Sequence, residues 1–152
     1  EKIMCLAWVS HSLLAVGSNS NINVYDFAKG KVEYSLEGHT ALVRDLLLMD
    51  CLDVLLSASD DHHIISWSIV TRCQLMKFTG HTLSANKLLA WSDECFVSAR
   101  DDGKINFWNI NSSFSRNEHS IVGGKSWITS ITNRSDGALI SVGADKVIKI
   151  WK

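Results

Sequence analysis

Short runs in which apolar and polar residues alternate dominate the 152-residue chain. Four of these runs end on an aromatic residue, at Tyr25, Trp67, Trp108 and Trp151, each about 42 positions after the one before. Alternation with period two, rich in β-branched and aromatic residues, is typical of a β-strand. The pattern therefore predicts one strand that recurs four times with a period of about 42 residues.

Further strand-like stretches surround each aromatic strand, and no helical periodicity interrupts them. The predicted first strands are 3–8, 43–49, 85–91 and 128–132, and the second strands are 13–16, 54–57, 95–98 and 138–142. The fourth strands are 31–36 and 73–78, with a weaker, polar one near 112–117. The repeating units are 1–37, 38–79, 80–117 and 118–152, and the last unit lacks a fourth strand.

Polar residues recur with the same period as the strands. Gly38-His39 returns as Gly80-His81, and Asn19, Asp61, Asp102 and Asp145 each stand six positions before an aromatic residue. Ala15, Ser57, Ser98 and Ser141 stand ten positions before it. This pattern resembles the WD40-repeat β-propeller family, whose repeat of about 40–45 residues carries a Gly-His and Trp-Asp signature.

The resemblance implies an all-β fold of about four four-stranded antiparallel blades. It also implies that these blades form the C-terminal part of a ring of about seven, within the range of 4–8 blades that propellers have. The missing blades and the closing strand would then precede Glu1. A ring completed by a second chain is the alternative.

Two units depart from the family pattern. The first has Tyr25, Asn19 and Ala15 where Trp, Asp and Ser are expected, and the fourth has Glu118-His119 where Gly-His is expected. The resemblance implies one buried tetrad of His, Ser, Asp and Trp in each blade. By position these are His39, Ser57, Asp61 and Trp67; His81, Ser98, Asp102 and Trp108; and His119, Ser141, Asp145 and Trp151.

A histidine, a serine and an aspartate could also form a hydrolytic triad, which needs one exposed nucleophile beside one base. Here the trio recurs in at least two units, and recurrence favours a structural role copied with each blade. We therefore expect no catalytic residues, and we expect the tetrads to satisfy buried polar groups.

The resemblance places partner binding on one loop-rich face of the ring, here called the top face. Carried over by position, the residues that reach it are Met4, Arg44, Asn86 and Thr129, then Ser18, Asp60, Asp101 and Ala144, bordered by Leu42, Ser84 and Trp127. The strongest candidates for protein binding are Arg44, Asp60, Asn86, Asp101, Trp127 and Thr129. Trp127 is the sharpest of them, because tryptophan and arginine dominate interface hot spots.

Composition narrows the range of functions. The charge is balanced, with 15 Lys+Arg against 16 Asp+Glu, which disfavours a nucleic-acid binder. No apolar run approaches the 18–20 residues or so that span a membrane. The four cysteines, at 5, 51, 73 and 95, form no Cys-x-x-Cys pair, and we expect free thiols in a reducing compartment and no metal or other cofactor.

We therefore predict a non-catalytic scaffold or adaptor that mediates protein–protein or protein–peptide interactions within a larger complex. The predicted partners are proteins or peptides and neither nucleic acid nor membrane. The predicted location is the cytoplasm, with the nucleus as an alternative. A purely architectural propeller segment of a large multidomain protein is the second hypothesis, and a propeller enzyme is the third, because one fold hosts many functions.

Overall fold

The structure, a computed structural model, describes residues 2–112, 119–122 and 126–152. Fifteen strands and one short 3₁₀ turn, Asp50–Leu52, make up its regular elements, and none of the described residues forms an α-helix. Within the described ranges no helix is long and apolar enough to cross a membrane. The predicted all-β class is confirmed.

The strands form four antiparallel sheets, in each of which every strand pairs with its neighbour along the chain. The first sheet contains β1 (Ile3–Trp8), β2 (Leu13–Ser18), β3 (Asn21–Asp26) and β4 (Lys31–Glu37). The second contains β5 (Val43–Met49), β6 (Val54–Ser59), β7 (Ile64–Ser68) and β8 (Gln74–Phe78). The third contains β9 (Ala85–Ala90), β10 (Cys95–Arg100), β11 (Lys104–Asn109) and β12 (His119–Val122), and the fourth contains β13 (Ile128–Asn133), β14 (Leu139–Gly143) and β15 (Ile148–Trp151).

The hydrophobic core lies between successive sheets. Strand β1 contacts β5, β5 contacts β9, and β9 contacts β13, so the first strands of the four sheets stand side by side. Ile22 and Val24 of the first sheet pack with Leu55, Ile65 and Trp67 of the second. Because burying one large apolar side chain stabilises a fold by about 1.5–3 kcal/mol, each sheet depends on its neighbours.

The outer strand of the third sheet differs from the prediction. Residues 113–118, which include most of the expected strand near 112–117, lie outside the described residues. The strand that pairs with β11 is β12, with His119 opposite Phe107 and Ile121 opposite Ile105. Ile121 packs against the cluster between the third and fourth sheets, which explains why this stretch joins the third sheet. The expected boundary at 117/118 is therefore corrected to a position after Val122.

The turn between the second and third strands is shorter in the first sheet than in the second. Ser18 pairs with Asn21, so only two residues connect β2 to β3, whereas four residues connect β6 to β7. As a result, Val16 pairs with Asn23 in the register position that Ser57 occupies opposite Ile65. The equivalence expected for Ala15 and Asn19 is therefore wrong.

Candidate interaction surface

Each of the four sheets has a β-bulge near the start of its first strand. In β5, Val43 pairs with Ser59 and Asp45 with Ala58, so Arg44 is left between them without a partner in the ladder. The same irregularity occurs in the other three first strands. A bulge bends the strand and redirects the extra side chain. The four bulge residues are Met4, Arg44, Asn86 and Thr129.

The four bulge residues meet in one cavity of about 310 Å³, here called the bulge pocket. Lys87, Asp101, Trp127 and Ile128 complete its lining. Five of the six sequence-predicted binding residues thus line the same cavity. The sixth, Asp60, lies outside the lining and is hydrogen-bonded to Arg44. Sequence reasoning missed Lys87 and Ile128. It also missed the bulges, although their signal was present.

That signal is the spacing of the inward-facing apolar residues. Val43 and Leu46 are both buried although they lie three positions apart, and the same holds for Ala85 with Leu88 and for Ile128 with Ile131. In a regular strand, residues that share a face are separated by an even number of positions. An apolar pair with odd spacing at the start of each first strand therefore predicts a bulge between its members.

Arg44 forms a bidentate ion pair with Asp60. Its Nε lies 2.7 Å from Oδ1 of Asp60 and its Nη2 lies 2.7 Å from Oδ2. Hydrogen bonding to Asp60 raises the pKa of Arg44 above its usual value. Partial burial acts to raise the pKa of Asp60, but donors from Arg44 and Ser84 outweigh it, and the pKa lies below its ordinary value. Each charge of this pair is therefore neutralised by the other.

A second ion pair joins two adjacent sheets beside the pocket. Lys87 Nζ lies 3.1 Å from Oδ1 of Asp45, and Oδ2 of the same aspartate accepts a hydrogen bond from the Leu88 amide at 2.8 Å. Burial raises the pKa of Asp45, while the Leu88 amide and Lys87 act in the opposite direction. This pair ties β5 to β9 and neutralises the second cation of the pocket.

Asp101 has a different set of partners. The Asn86 side-chain amide donates a hydrogen bond to its Oδ1. Within residues 2–112, 119–122 and 126–152, Oδ2 of Asp101 has no hydrogen-bond partner. The pocket therefore contains one carboxylate that no cation of the described chain hydrogen-bonds, although Asp101 also contributes to raising the pKa of Arg44 by charge attraction.

Trp127 presents an exposed indole on a fixed main chain. Its side chain is 58% exposed, while its carbonyl accepts a hydrogen bond from the Ala144 amide at 3.0 Å. Gly143 lies so close that a Cβ at this position would stand 2.6 Å from the Trp127 carbonyl oxygen. The glycine is thus required for the close approach of β14, and the indole is left free to contact a partner.

The remaining top-face candidates do not line the bulge pocket. Ser18 is buried, and Ser84 hydrogen-bonds Asp60. The carbonyl of Leu42 accepts the Asp60 amide at 3.0 Å, in the role that the Trp127 carbonyl has toward Ala144. These residues shape the turns around the pocket and do not provide its surface.

The second sheet contains a continuous polar network. Trp67 Nε1 donates to Ser57 Oγ at 2.8 Å, Ser57 Oγ lies 2.7 Å from His39 Nε2, and His39 Nδ1 lies 2.8 Å from Asp61 Oδ2. A carboxylate only accepts, so His39 Nδ1 carries the proton and Ser57 donates to Nε2. Asp61 also accepts the Thr40 amide, and these bonds hold its pKa below the ordinary value against the effect of burial.

The order Asp61, His39, Ser57 matches that of a hydrolytic triad, but the serine is unsuited to attack a substrate. Ser57 is fully buried, and its Oγ already holds the Trp67 indole. A nucleophile must be reachable by the bond it attacks. What the arrangement does chemically is to satisfy four buried polar groups and fix the turn against β7. The described residues also contain no group of side chains that could hold a metal ion.

The third sheet contains only part of this network. His81 Nε2 lies 2.8 Å from Ser98 Oγ, which accepts Trp108 Nε1 at 2.7 Å. Asp102, however, binds the guanidinium of Arg100, and the expected contact with His81 is wrong. Arg100 is buried and replaces Ser59 of the second sheet, and a buried guanidinium requires a carboxylate partner. Burial and the charge of Arg100 lower the pKa of His81 to about 3.

The fourth sheet retains still less. Trp151 Nε1 donates to Ser141 Oγ at 3.1 Å, while Asp145 binds the Lys149 ammonium. His119 lies on β12 of the third sheet, exposed and opposite Phe107, so its assignment to this tetrad is wrong. A Gly-His pair follows each of the outer strands β4 and β8, as Gly38-His39 and Gly80-His81. After Val122 the sequence reads Gly123-Gly124 and offers no histidine there.

The sequence profile of the family described as "WD domain, G-beta repeat" matches residues 30–68, 72–109 and 115–152. The chain belongs to the WD40 family. The match 30–68 contains β4 to β7, and 72–109 contains β8 to β11. A WD40 repeat here thus contains the outer strand of one blade and the first three strands of the next blade. Each repeat therefore belongs to two neighbouring blades. Strands β1 to β3, where the polar pattern departs, lie outside the matches.

Several curated proteins are similar to this chain. "Nuclear distribution protein nudF" of Aspergillus niger is 26% identical over 160 residues, covering 100% of this chain and 36% of that protein. "Pre-mRNA-processing factor 19" of Caenorhabditis elegans is 29% identical, covering 91% of this chain and 29% of that protein. The chain therefore spans about a third of the length of these relatives.

Solved structures show the same fold. The computationally designed Ika4 protein superposes with a TM-score of 0.85 at 26% identity, covering 99% of this chain and 91% of that one. The WD40 β-propeller domain of Doa1 superposes with a TM-score of 0.81 at 24% identity, covering 97% of this chain and 48% of that one. WD40 propellers are generally interaction domains that bind protein partners.

Proposed function

We propose that this WD40 segment is a non-catalytic scaffold or adaptor that docks a peptide or protein surface at the bulge pocket within a larger complex. The observation that carries the proposal is the convergence of four equivalent bulges. Each blade contributes one redirected side chain to the same cavity. A concave site with a few convergent polar groups and an exposed aromatic anchor is suited to binding.

A second cavity, of about 850 Å³, lies where the first strands end and is lined by Trp8, Val9, Ser10, His11, Leu48 and Asp50. Only the first and second sheets contribute to it. The bulge pocket draws on all four blades and is lined by the two paired cations and the exposed indole. We therefore assign partner binding to the bulge pocket. The proposed partners are proteins or peptides and neither nucleic acid nor membrane.

The ring requires further blades. Ile3 and Leu6 are 60% and 59% exposed on the outer face of the first sheet, whereas their register counterparts Val43 and Leu46 are 0% and 7% exposed. The first sheet thus has the same apolar face as the second, but without a neighbour. We propose that a WD40 blade N-terminal to this segment, on the same polypeptide, covers it. The chain spans about a third of the length of its relatives, which leaves room for such blades.

The full transcript tests the completion of the ring. Further units with a Gly-His pair and an aromatic strand at a spacing of about 42 residues, encoded upstream, would support it. An upstream sequence without such units, together with a defined dimer of the purified protein, would instead show that a second chain completes the ring.

We place the protein in the cytoplasm or the nucleus. All four cysteines are free thiols, and reducing compartments keep cysteines in this state. The location of a fluorescent fusion of the intact protein checks this, and a secreted or luminal fusion would contradict it.

Partner capture by the intact protein tests the function. We expect Trp127→Ala to reduce the amount of specifically captured protein at least tenfold, because an interface anchor is worth about 2 kcal/mol or more. Trp8→Ala removes an exposed indole at the opposite end of a first strand and serves as the matched control. Loss of capture with Trp8→Ala alone would contradict the assigned site. Unchanged capture with both variants, in an intact assembly, would favour a purely architectural segment.

A further inference from the structure

Resting on the proposed function, we infer that the bulge pocket selects a positively charged side chain, lysine or arginine, on the docked peptide. Asp101 would bind the charge, and the indole of Trp127 would cover it. Both residues line the same cavity.

The charges around the pocket leave one carboxylate in excess. Arg44 is bound through two hydrogen bonds to Asp60, and Lys87 is bound to Asp45. Each cation of the lining therefore has its own hydrogen-bonded carboxylate. Among the described residues the hydrogen-bond donor of Asp101 is the neutral amide of Asn86, and Arg44, already paired with Asp60, attracts it only through charge. A partner with a positive charge is the one that complements this pocket.

Asp101 is held in the orientation that such a partner needs. The Asn86 amide fixes Oδ1, and no donor in the described part of the chain binds Oδ2, which can therefore accept from a ligand. Because the carboxylate is already oriented, little side-chain freedom is lost when a ligand binds. Hydrogen bonds between an ammonium or guanidinium and a carboxylate are about twice as strong as those between neutral groups.

The indole supplies the second contact. Tryptophan is the aromatic side chain that attracts cations most strongly through its ring face. The equivalent positions in the other blades, two residues before each bulge residue, are Lys2, Leu42 and Ser84. The carbonyls of Lys2 and Leu42 accept a turn amide, as that of Trp127 does. Trp127 is thus the one aromatic residue at this position, and it lines the same cavity as Asp101.

An acidic or phosphorylated peptide fits this pocket poorly. Phosphate recognition uses arginines whose donors are free. Two donors of Arg44 are directed to Asp60, whose carboxylate already neutralises the guanidinium, and Arg100 is buried against Asp102. A negatively charged ligand would also approach Asp101 directly.

The selectivity can be measured with short peptides and the intact protein. Incorporation of 5-fluorotryptophan gives separate ¹⁹F signals for the tryptophans, and Trp127→Ala identifies that of Trp127. The probes are acetyl-Gly-Gly-X-Gly-Gly-amide peptides in which X is lysine, arginine, norleucine or glutamate. Norleucine retains most of the length of lysine without its charge.

We expect the lysine and arginine peptides to shift the Trp127 signal with affinities about tenfold higher than that of the norleucine peptide, and the glutamate peptide to bind more weakly still. Raising the salt concentration should reduce this ratio. Asp101→Asn should bring the ratio close to one. The matched control, Asp93→Asn, removes a carboxylate far from the pocket lining and should leave it at about ten.

Equal affinities for the lysine and norleucine peptides, tighter binding of the glutamate peptide, or no saturable shift with any peptide would each overturn the inference. The proposed function is judged separately. If partner capture depends on Trp127 while the peptides show no preference for positive charge, the docking site stands and its selectivity for cations is refuted. If capture is independent of Trp127, the docking site itself is refuted.

Discussion

The second and third blades carry two successive aspartates in the same turn, but the four carboxylates have different partners. In the second blade Asp60 binds Arg44 and Asp61 binds His39. In the third blade Asp101 binds Asn86 and Asp102 binds Arg100.

Two residue differences between the second and third blades produce these different partners. Arg100 stands where the second blade has Ser59, and it takes Asp102 away from His81. Asn86 stands where the second blade has Arg44, and it leaves an oxygen of Asp101 open. Copies of one motif thus place one carboxylate toward the core and the other toward the pocket, and the neighbouring side chain decides how strongly each is neutralised.

The largest expected effect is that of Asp102→Ala, which should lower the free energy of unfolding by about 4 kcal/mol. The variant leaves the buried guanidinium of Arg100 without its carboxylate, and breaking a buried ion pair is strongly destabilising. Equilibrium urea denaturation measures it. The same substitution in an Arg100→Ser background should cost clearly less. Equal costs in both backgrounds would show that Asp102 does not serve Arg100.

Asp61→Ala should lower the free energy of unfolding by about 3 kcal/mol. It leaves the proton on His39 Nδ1 and two amide groups without an acceptor, at about 1–3 kcal/mol for each group that stays buried. The check is the same denaturation experiment. The second blade has no buried arginine in this turn, and Ser59 Oγ accepts the main-chain amide of Asp61 and does not bind its carboxylate. Substitution of Ser59 should therefore change this cost by less than about 1 kcal/mol, and a larger coupling would contradict the comparison.

The third prediction concerns acid. The pKa of His81 is about 3 in the folded chain and 6.5 in its unperturbed state, so the unfolded chain binds the proton first as the pH falls. Stability is therefore lost from about pH 6.5 down to about pH 3, by about 2 kcal/mol at pH 5. His81→Gln should flatten this loss. His39→Gln should flatten it less, because Asp61 opposes the effect of burial on the pKa of His39.

Arg100→Ser has the smallest expected effect on stability, about 1–2 kcal/mol, because the charge that it leaves unpaired, Asp102, is partly exposed and can accept a hydrogen bond from His81. Its structural effect should be clear. Asp102 becomes free to accept from His81 Nδ1, and the nearby positive charge is lost. The pKa of His81, followed by NMR titration, should rise. An unchanged pKa would show that Arg100 is not what separates Asp102 from His81.

The blades, their strand order and the Ser–Trp contacts could be predicted from the sequence because they repeat. The Trp67, Trp108 and Trp151 indoles each reach the serine ten positions earlier. These contacts follow from strand register alone, which alternation specifies well.

Features that depend on a single residue or on an insertion could not be predicted in this way. The periodic pattern treats Arg100 as one more strand residue, and its effect on Asp102 becomes visible only once its burial is known. The Gly-His spacing assigns His119 to the fourth unit because it takes no account of the residues inserted before the outer strand of the third. Trp127 and the bulge residues were found by position, but their convergence in one cavity depends on how four sheets are arranged.

The central claim is that the buried networks maintain the fold while the bulge pocket binds the partner. The most direct test compares the affinity of the captured partner for folded Asp61→Asn and Trp127→Ala proteins, below the melting temperature of both. We predict an unchanged affinity for Asp61→Asn and a loss of at least tenfold for Trp127→Ala. A folded Asp61→Asn protein that no longer binds, beside a Trp127→Ala protein that binds normally, would contradict the account.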